Sequence, residues 1–220
     1  MKRNVDMNEI SDGKRYSSSD MVKIGCNDCL GCSLCCHDMG TSIVLDPLDF
    51  YRLTKEVKMS PEQSLSVFAE LNAVDGIVLP NIRMQPETSG CFFLNEEGRC
   101  SVHDARPGFC RLFPLGRIYE NGSFTYFNQI NECPASNRTK VKIKDWLGEK
   151  RLKDVEEFVL AWHNFLKEME SLAEGADDES VKNLSMIILS RFYLTPYSEG
   201  EDFFTQFYGR VDALRSGLGL

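Results

Sequence analysis

Apolar residues recur at three- and four-residue steps through the last third of the chain. The series over 155–172 predicts a long amphipathic helix. Two further helical patterns, over 181–194 and 203–218, follow an acidic break at 174–179. Because apolar residues at helical spacing are usually core residues, we interpret them as a small helical layer and not as a ligand pocket. His163 has no second His or carboxylate at ligand spacing, so we assign it a structural role.

Two helix-start signals lie earlier in the chain. Asp46-Pro47 offers an N-cap followed by proline, and predicts a short helix to about Val57. Ser60 and Gln63 predict a capping box at the start of a second helix. That second helix is expected to place four apolar residues inward: Leu65, Phe68, Ala69 and Leu71.

The middle of the chain has the pattern of strands. Apolar runs over 77–79, 91–94 and 100–102 predict three strands, and the last two form a hairpin that carries Cys91 and Cys100. We therefore expect these two cysteines to lie close together.

A second hairpin is predicted around Asn121-Gly122, which favours a type I′ turn between strands over 116–119 and 124–127. The segment 138–144 alternates Lys with Val and Ile, which predicts an exposed strand. The patterns together predict an α+β fold with short helices and two β-hairpins, followed by the C-terminal helical layer.

Length and composition set the domain organisation. A chain of 220 residues with 42% hydrophobic residues is long enough for one domain with a core of its own. Residues 1–23 lack apolar periodicity and are predicted to be a flexible lead-in. We expect a cysteine-cluster domain over 24–145 and a helical region over 146–220 that packs on it.

Charge and hydropathy exclude two classes of partner. The formal charge of -8 disfavours binding to nucleic acid, and no apolar run has the length of a membrane span. The polar N-terminus also lacks the apolar stretch of a signal peptide. We therefore expect a cytoplasmic protein with no nucleic-acid or membrane partner.

Cysteine spacing is the main chemical signal. Five of the nine cysteines lie between Gly25 and His37 in the pattern C-x-x-C-x-x-C-x-x-C-C. Spacings of this kind let one tight turn direct several thiolates at a common point, as in zinc and iron-sulfur sites. An odd count, the vicinal pair Cys35 and Cys36, and the expected cytoplasmic location disfavour a disulfide framework. The pattern predicts a metal site.

The segment 100–114, C-S-V-H-D-A-R-P-G-F-C-R-L-F-P, adds two basic residues to this picture. Its prolines stiffen the loop that presents Cys110, and Arg106 and Arg111 flank that cysteine. Guanidinium groups offset the negative charge of thiolates and donate hydrogen bonds to sulfur. We predict that both arginines support the cofactor from outside the ligand set, with an ordinary proline loop as the alternative.

These motifs resemble the YkgJ-type cysteine-cluster family, which is described as zinc- or iron-chelating. The likeness covers roughly residues 25–145 and includes C-x-x-C-x-x-C-C at 29–36 and the C-x-x-H-x-x-R-P-x-x-C-R-x-F-P pattern at 100–114. The metal ligands that this resemblance implies are Cys29, Cys32, Cys35, Cys36, Cys91, Cys100, Cys110 and Cys133. His103 belongs to the same pattern, and we expect it outside the ligand set.

Cys26 is an addition to the family pattern and leaves the cofactor open. Cys26, Cys29, Cys32 and Cys36 have the spacing of a bacterial ferredoxin run, which favours an iron-sulfur cluster of the 4Fe-4S type. His37 follows that run where a ferredoxin has proline. Zinc or iron ions, held by four cysteines or by three cysteines and a histidine, are the alternative.

Two functions of different classes follow. The first is a metal-binding protein with a structural, redox or metal-handling role, acting on its metal ion or cluster and on a protein partner. The second comes from the resemblance of the same domain to part of the flagellin lysine N-methylases, which implies a protein-lysine methyltransferase using S-adenosylmethionine. The sequence lacks a G-x-G-x-x-G turn and singles out no catalytic residue.

Overall fold

The computed structural model describes residues 6–26 and 32–220 and has the predicted α+β class. Its strands pair as three separate antiparallel hairpins or ribbons: β1 with β6, β2 with β3, and β4 with β5. The strands are β1 (Met21–Gly25), β2 (Ala69–Val74), β3 (Ile77–Ile82), β4 (Leu115–Glu120), β5 (Ser123–Asn128) and β6 (Thr139–Lys142). The α-helices are α1 (Met7–Ile10), α2 (Pro47–Val57), α3 (Pro61–Val67), α4 (Gly108–Leu112), α5 (Ile143–Leu147), α6 (Leu152–Ala173), α7 (Asp178–Leu189) and α8 (Phe203–Leu218).

Both predicted helix starts are confirmed. Asp46 caps α2 with a capping box, in which the Asp49 backbone N–H donates to the Asp46 side chain at 2.8 Å. Ser60 and Gln63 form the capping box of α3. Each helix has proline at its first turn, where no intrahelical donor is lost.

The predicted extent of α3 was wrong, because the chain leaves the helix after Val67. Ala69–Val74 forms strand β2 and pairs with β3 through a tight turn at Asp75 and Gly76, whose φ angles are 49° and 87°. Asp-Gly is a strong signal for such a turn. Phe68 and Ala69 are buried as expected, but Leu71 lies on the strand with half of its surface exposed.

The hairpin of two strands predicted over 91–102 is not formed. Within this segment the structure has a single bridge between Leu94 and Cys100, closed by backbone and side-chain hydrogen bonds between Asn95 and Arg99. Cys91 instead forms a bridge with Met84. The two cysteines are therefore presented from a compact looped segment and not from paired strands.

The hairpin of β4 and β5 is confirmed. Asn121 and Gly122 have φ angles of 54° and 71°, as a type I′ turn requires. Gly116 faces its strand partner Phe127 so closely that an added Cβ would lie 2.2 Å from the ring atom Cε1. A glycine at this position lets the Phe127 ring lie flat against the strand.

The segment predicted as a lead-in contributes to the fold from residue 6 onward. Ser11 and Tyr16 form bridges with Gln129 and Tyr126, and β1 pairs with β6, the strand predicted from the basic segment 138–144. Val22, Ile24, Leu115, Tyr126 and Ile143 are among the residues of a small hydrophobic cluster at this end of the molecule. The apolar run of β1 is too short to set a period in the sequence, and the bridges at Ser11 and Tyr16 are backbone pairings that no side-chain pattern marks.

The C-terminal helices pack onto the main hydrophobic core. Phe158, Trp162 and Phe165 of α6 are buried against Phe192 and Phe207. This core is continuous with the buried faces of α2, β2 and β3. After α7 the chain continues as a short π-helix, Ser190–Leu194, before it reaches α8.

His163 lies on α6 and stacks on Tyr119 with ring centroids 3.7 Å apart. Burial lowers the pKa of its imidazole. None of the helices in the described ranges combines the length and the apolar character that crossing a membrane requires.

Candidate metal centre

A cavity of about 90 Å³ brings together thiols from three parts of the chain. Apolar side chains such as Ile43, Ile82 and Phe93 form much of its wall, and Trp146 of α5 closes one side. The cysteines that line it are Cys32, Cys35, Cys36, Cys91, Cys100 and Cys110. Six soft sulfur donors around one small space are the donor chemistry that zinc and iron-sulfur sites use.

Backbone hydrogen bonds join the first cysteine group to the second. Cys35 and Cys36 lie on a short 3-10 turn, Leu34–Cys36, in which the Cys36 N–H donates to the Ser33 carbonyl at 2.8 Å. The Cys91 N–H donates to the Cys36 carbonyl at 2.7 Å. His37 continues this pairing through a bridge with Gly90. The vicinal thiols are therefore held next to Cys91 by main-chain atoms alone.

The third group, Cys110, is positioned by a buried carboxylate. Cys110 lies on α4, and the Gly108 N–H at the start of that helix donates to Asp49 Oδ1 at 2.7 Å. Asp49 belongs to α2, is only 4% exposed, and its Oδ2 also accepts from the Asp46 N–H. Burial raises the pKa of the Asp49 carboxyl, and the nearby Asp46 raises it further. Asp49 thus links the capped end of α2 to the turn that carries Cys110.

The guanidinium of Arg111, which was predicted to support the cofactor, contacts a largely buried carboxylate and a backbone carbonyl. Its Nε lies 3.3 Å from Glu149 Oε1 and donates to the Arg106 carbonyl at 3.1 Å. Glu149 is also bound by both terminal nitrogens of Arg52, at 2.7 and 2.9 Å. These contacts join α2, α4 and the segment after α5. Arg111 is not among the residues that line the cavity, and its support of the cofactor stays a prediction.

Arg106 does line the cavity, together with His103. Its Nη1 lies 2.9 Å from Nδ1 and 2.6 Å from Nε2 of the His103 ring. Its positive charge opposes the upward shifts of the Cys35 and Cys100 pKa values. This position is compatible with the supporting role predicted for Arg106, which stays a prediction.

Four of the six lining thiols have raised pKa values, so the metal-free protein holds their protons tightly. A hydrogen bond with Cys36, followed by burial, raises the pKa of Cys35. Burial raises the pKa of Cys91 to about 11, and it also raises the pKa values of Cys100 and Cys110. Metal binding at such a site must displace protons from these sulfurs.

The three remaining cysteines are not found among the described residues of the cavity lining. Cys133 and Cys26 flank the β1 and β6 ribbon in sequence and are not among the lining residues. Cys29, predicted as a ligand, falls in residues 27–31, which the structure does not describe. The structure thus gathers six of the eight predicted ligands.

The side chains around the cavity have the donor atoms that a thiolate-bound metal requires, but they are not arranged as a complete coordination sphere. Within 6–26 and 32–220, no three donors among His, Cys, Asp and Glu are grouped closely enough to hold an ion as they stand. The six thiols nevertheless line one cavity, with Cys32 at an exposed position. If a metal binds there, Cys32, Cys35, Cys36, Cys91, Cys100 and Cys110 are the residues that would hold it, and it would supply the positive charge that stabilises their thiolate forms.

Sequence reasoning missed the supporting residues. The capping motif identified Asp46, whereas the tie from Asp49 to Gly108 depends on how two distant segments pack. Trp146 and Glu149 lie beyond residue 145, where the cysteine domain was expected to end. Trp146 nevertheless lines the cavity, and Glu149 pairs with Arg111, the neighbour of Cys110. A second carboxylate three residues after an N-cap was the one available signal for Asp49.

Comparison with known proteins gives one family match. The model of the CxxCxxCC family, described as a putative zinc- or iron-chelating domain, matches residues 28–139, just over half of the chain. Neither the curated proteins nor the solved structures give a match. The relation to flagellin lysine N-methylases stays a prediction.

Proposed function

Because the chain belongs to the CxxCxxCC family of zinc- or iron-chelating domains, we propose that it binds its metal in the six-cysteine cavity. The proposed ligands are drawn from Cys32, Cys35, Cys36, Cys91, Cys100 and Cys110. Arg106 supports them with its positive charge, and the proposal assigns no ligand role to Cys26 or Cys133.

One observation supports this proposal above the others. Thiols that lie far apart in the sequence, from Cys32 to Cys110, line the same small cavity. Packing alone has no need for six cysteines at one point, and free thiols in an enclosed space are a typical arrangement for soft metals. The metal would tie together three segments of the chain, so binding and folding are coupled.

The proposed role is that of a thiolate metal centre inside a larger folded domain, with a structural, redox or metal-handling purpose. Six thiols exceed the four that one tetrahedral ion takes. The stoichiometry of metal to protein therefore decides between a single ion, two ions and a cluster such as 4Fe-4S.

The first experiment measures iron, zinc and acid-labile sulfide in protein purified without oxygen, together with its visible spectrum. Sulfide with broad visible absorption identifies an iron-sulfur cluster, and a colourless protein with stoichiometric zinc identifies a zinc site. Protein that purifies without metal and takes up neither zinc nor iron would contradict the proposal.

A pair of cysteine variants tests the location of the centre. Cys110→Ser removes a lining thiol, and we expect lower metal content and a lower melting temperature. Cys26→Ser is the matched control, since Cys26 does not line the cavity, and we expect its metal content to equal that of the wild type. Loss of metal in Cys26→Ser with retention in Cys110→Ser would favour the ferredoxin-like register instead.

A further inference from the structure

A second cavity, of about 350 Å³, lies apart from the cysteines between the second half of α2 and the segment that follows the π-helix. Its volume lies within the range of about 300–1,000 Å³ that small-molecule sites occupy. Phe50 and Tyr193 lie at its base, are each 2% exposed, and meet edge to face with centroids 5.6 Å apart. Tyr51 and Tyr197 add further aromatic surface.

The far wall of this cavity is built to keep its shape. Arg210 of α8 donates to the carbonyls of Arg191, Thr195 and Pro196 at 2.7–2.8 Å, and its guanidinium lies 3.7 Å from the Tyr197 ring centroid. Gln206 holds the next residue, Ser198, by accepting from its N–H and donating to its carbonyl. A wall fixed by side chains of another helix is preorganised, which lowers the entropic cost of binding.

The π-helix itself contributes one residue to the cavity lining. Ser190–Leu194 supplies Tyr193, whose hydroxyl donates to the Leu45 carbonyl at 2.9 Å and so fixes the ring. Insertions of this type occur frequently at functional sites. Here the π-helix connects the wall to the base of the cavity.

The charges at the mouth favour an anion, although the chain as a whole is acidic. Lys55 and Lys58 line the cavity along with a single carboxylate, Glu199. Lys55 lies 3.6 Å from Glu199, and its Nζ donates to the Tyr51 hydroxyl at 3.4 Å. Both side chains of the ion pair are well exposed, at 48% and 83%, and such a pair is weak. Within the described residues Lys58 has neither an ion pair nor a side-chain hydrogen bond. One lysine is thus available to an incoming anion, and the other is only loosely held.

From this combination we propose that the cavity binds a small aromatic anion, a planar ring that carries a carboxylate or phosphate group. The ring would lie against Phe50, Tyr51 and Tyr197, and the anionic group would reach Lys55 and Lys58. The residues of α2 and its C-cap that line this cavity run from Phe50 to Lys58, and none of the lining residues also lines the cysteine cavity.

The test titrates phenyl phosphate into the full-length protein as purified, by calorimetry, with benzylamine and inorganic phosphate as comparison ligands. We expect saturable binding of phenyl phosphate, no binding of benzylamine, and inorganic phosphate weaker by at least about tenfold, since it lacks the ring. No saturable binding of phenyl phosphate, or equal binding of inorganic phosphate, would overturn the proposal.

Variants locate the site. Lys58→Glu should weaken phenyl phosphate by about tenfold or more, because it replaces an attractive charge with a repulsive one. Lys182→Glu, on the exposed surface of α7, makes the same charge change away from the cavity and should bind as the wild type does. Equal weakening in both variants would mean that general charge and not this cavity governs binding. Circular dichroism confirms that each variant is folded.

Discussion

Asp49→Ala would separate the Cys110 turn from the rest of the candidate metal centre. The substitution removes Oδ1, the acceptor of the Gly108 N–H at 2.7 Å, and Oδ2, which accepts from the Asp46 N–H at 3.4 Å. It changes no cysteine and no residue that lines the cavity. Any loss of metal affinity would therefore reflect positioning.

The expected change in the free energy of unfolding follows from opposing contributions. A hydrogen bond to a charged acceptor stabilises by about 1.5–3 kcal/mol, and leaving the Gly108 N–H without a partner adds a desolvation cost of about 1–3 kcal/mol. Against these, the variant no longer buries a carboxylate whose pKa is raised by burial and by Asp46. We expect a net loss of about 2 kcal/mol in the free energy of unfolding, or about 4–8 °C in melting temperature for a chain of this size.

Metal affinity should fall with stability. Groups that orient ligands from behind typically account for about 10–100-fold in affinity, and we expect Asp49→Ala to fall in that range. The assay is competition for zinc or iron with a chelator of known affinity, at a temperature well below the melting transition of the variant. Thermal unfolding followed by circular dichroism provides the stability value.

Two controls make the result specific. Asp49→Asn keeps an oxygen for the Gly108 N–H, and it should retain most of the stability and metal affinity. Asp212→Ala removes an exposed carboxylate on α8 and should change neither. If Asp49→Ala melted and bound metal as the wild type does, the tie between α2 and α4 would have no role in the site.

Further predictions concern pH and packing. Burial raises the pKa of Cys91 from 9.0 to about 11, so the folded metal-free protein holds this proton more tightly than the unfolded chain does. This thiol should leave the free energy of unfolding unchanged below pH 9 and lower it between about pH 9 and 11, by an amount on the order of 2–3 kcal/mol. Denaturant unfolding of metal-free and metal-loaded protein across this range measures the effect. An equal decline in the metal-loaded protein would contradict the assignment of Cys91 as a metal ligand. Gly116→Ala should destabilise by about 1–3 kcal/mol in the same assay, because the new Cβ would lie 2.2 Å from the Phe127 ring. Gly209→Ala, on the exposed side of α8 with nothing within 4 Å of the new Cβ, should instead stabilise by about 0.5–1 kcal/mol. A neutral result for Gly116→Ala would show that the ring moves freely.

Local sequence signals predicted the elements that local chemistry determines. The capping boxes at Asp46 and Ser60, the Asn121-Gly122 turn and the apolar stripe of α6 each place their own element with little help from distant residues. The strand β2 was missed because its residues continue the helical apolar spacing of α3. Pairing with β3 through Asp75-Gly76 outweighs that weak periodicity.

In the candidate metal centre, too, some residues were predicted from the sequence and others were not. Cysteine spacing and the resemblance to a known family named the thiols that line the cavity, and Arg106 beside them. The ties that position these thiols could not be predicted, since the contacts of Asp49 with Gly108 and of Glu149 with Arg111 join segments far apart in sequence. The second cavity was equally hidden, because its aromatic residues match an ordinary core pattern.

The hydrogen bond from the Cys91 N–H to the Cys36 carbonyl has a consequence for synthesis on the ribosome. Cys36 and Cys91 are separated by more than fifty residues, and the chain between them must be synthesised before this bond can form. The nascent chain therefore exposes its five clustered cysteines well before Cys91 and Cys110 emerge. During that interval the clustered thiols can be oxidised, or can bind a metal in a non-native arrangement. A short peptide that contains only this cluster would reproduce the early state and not the native centre.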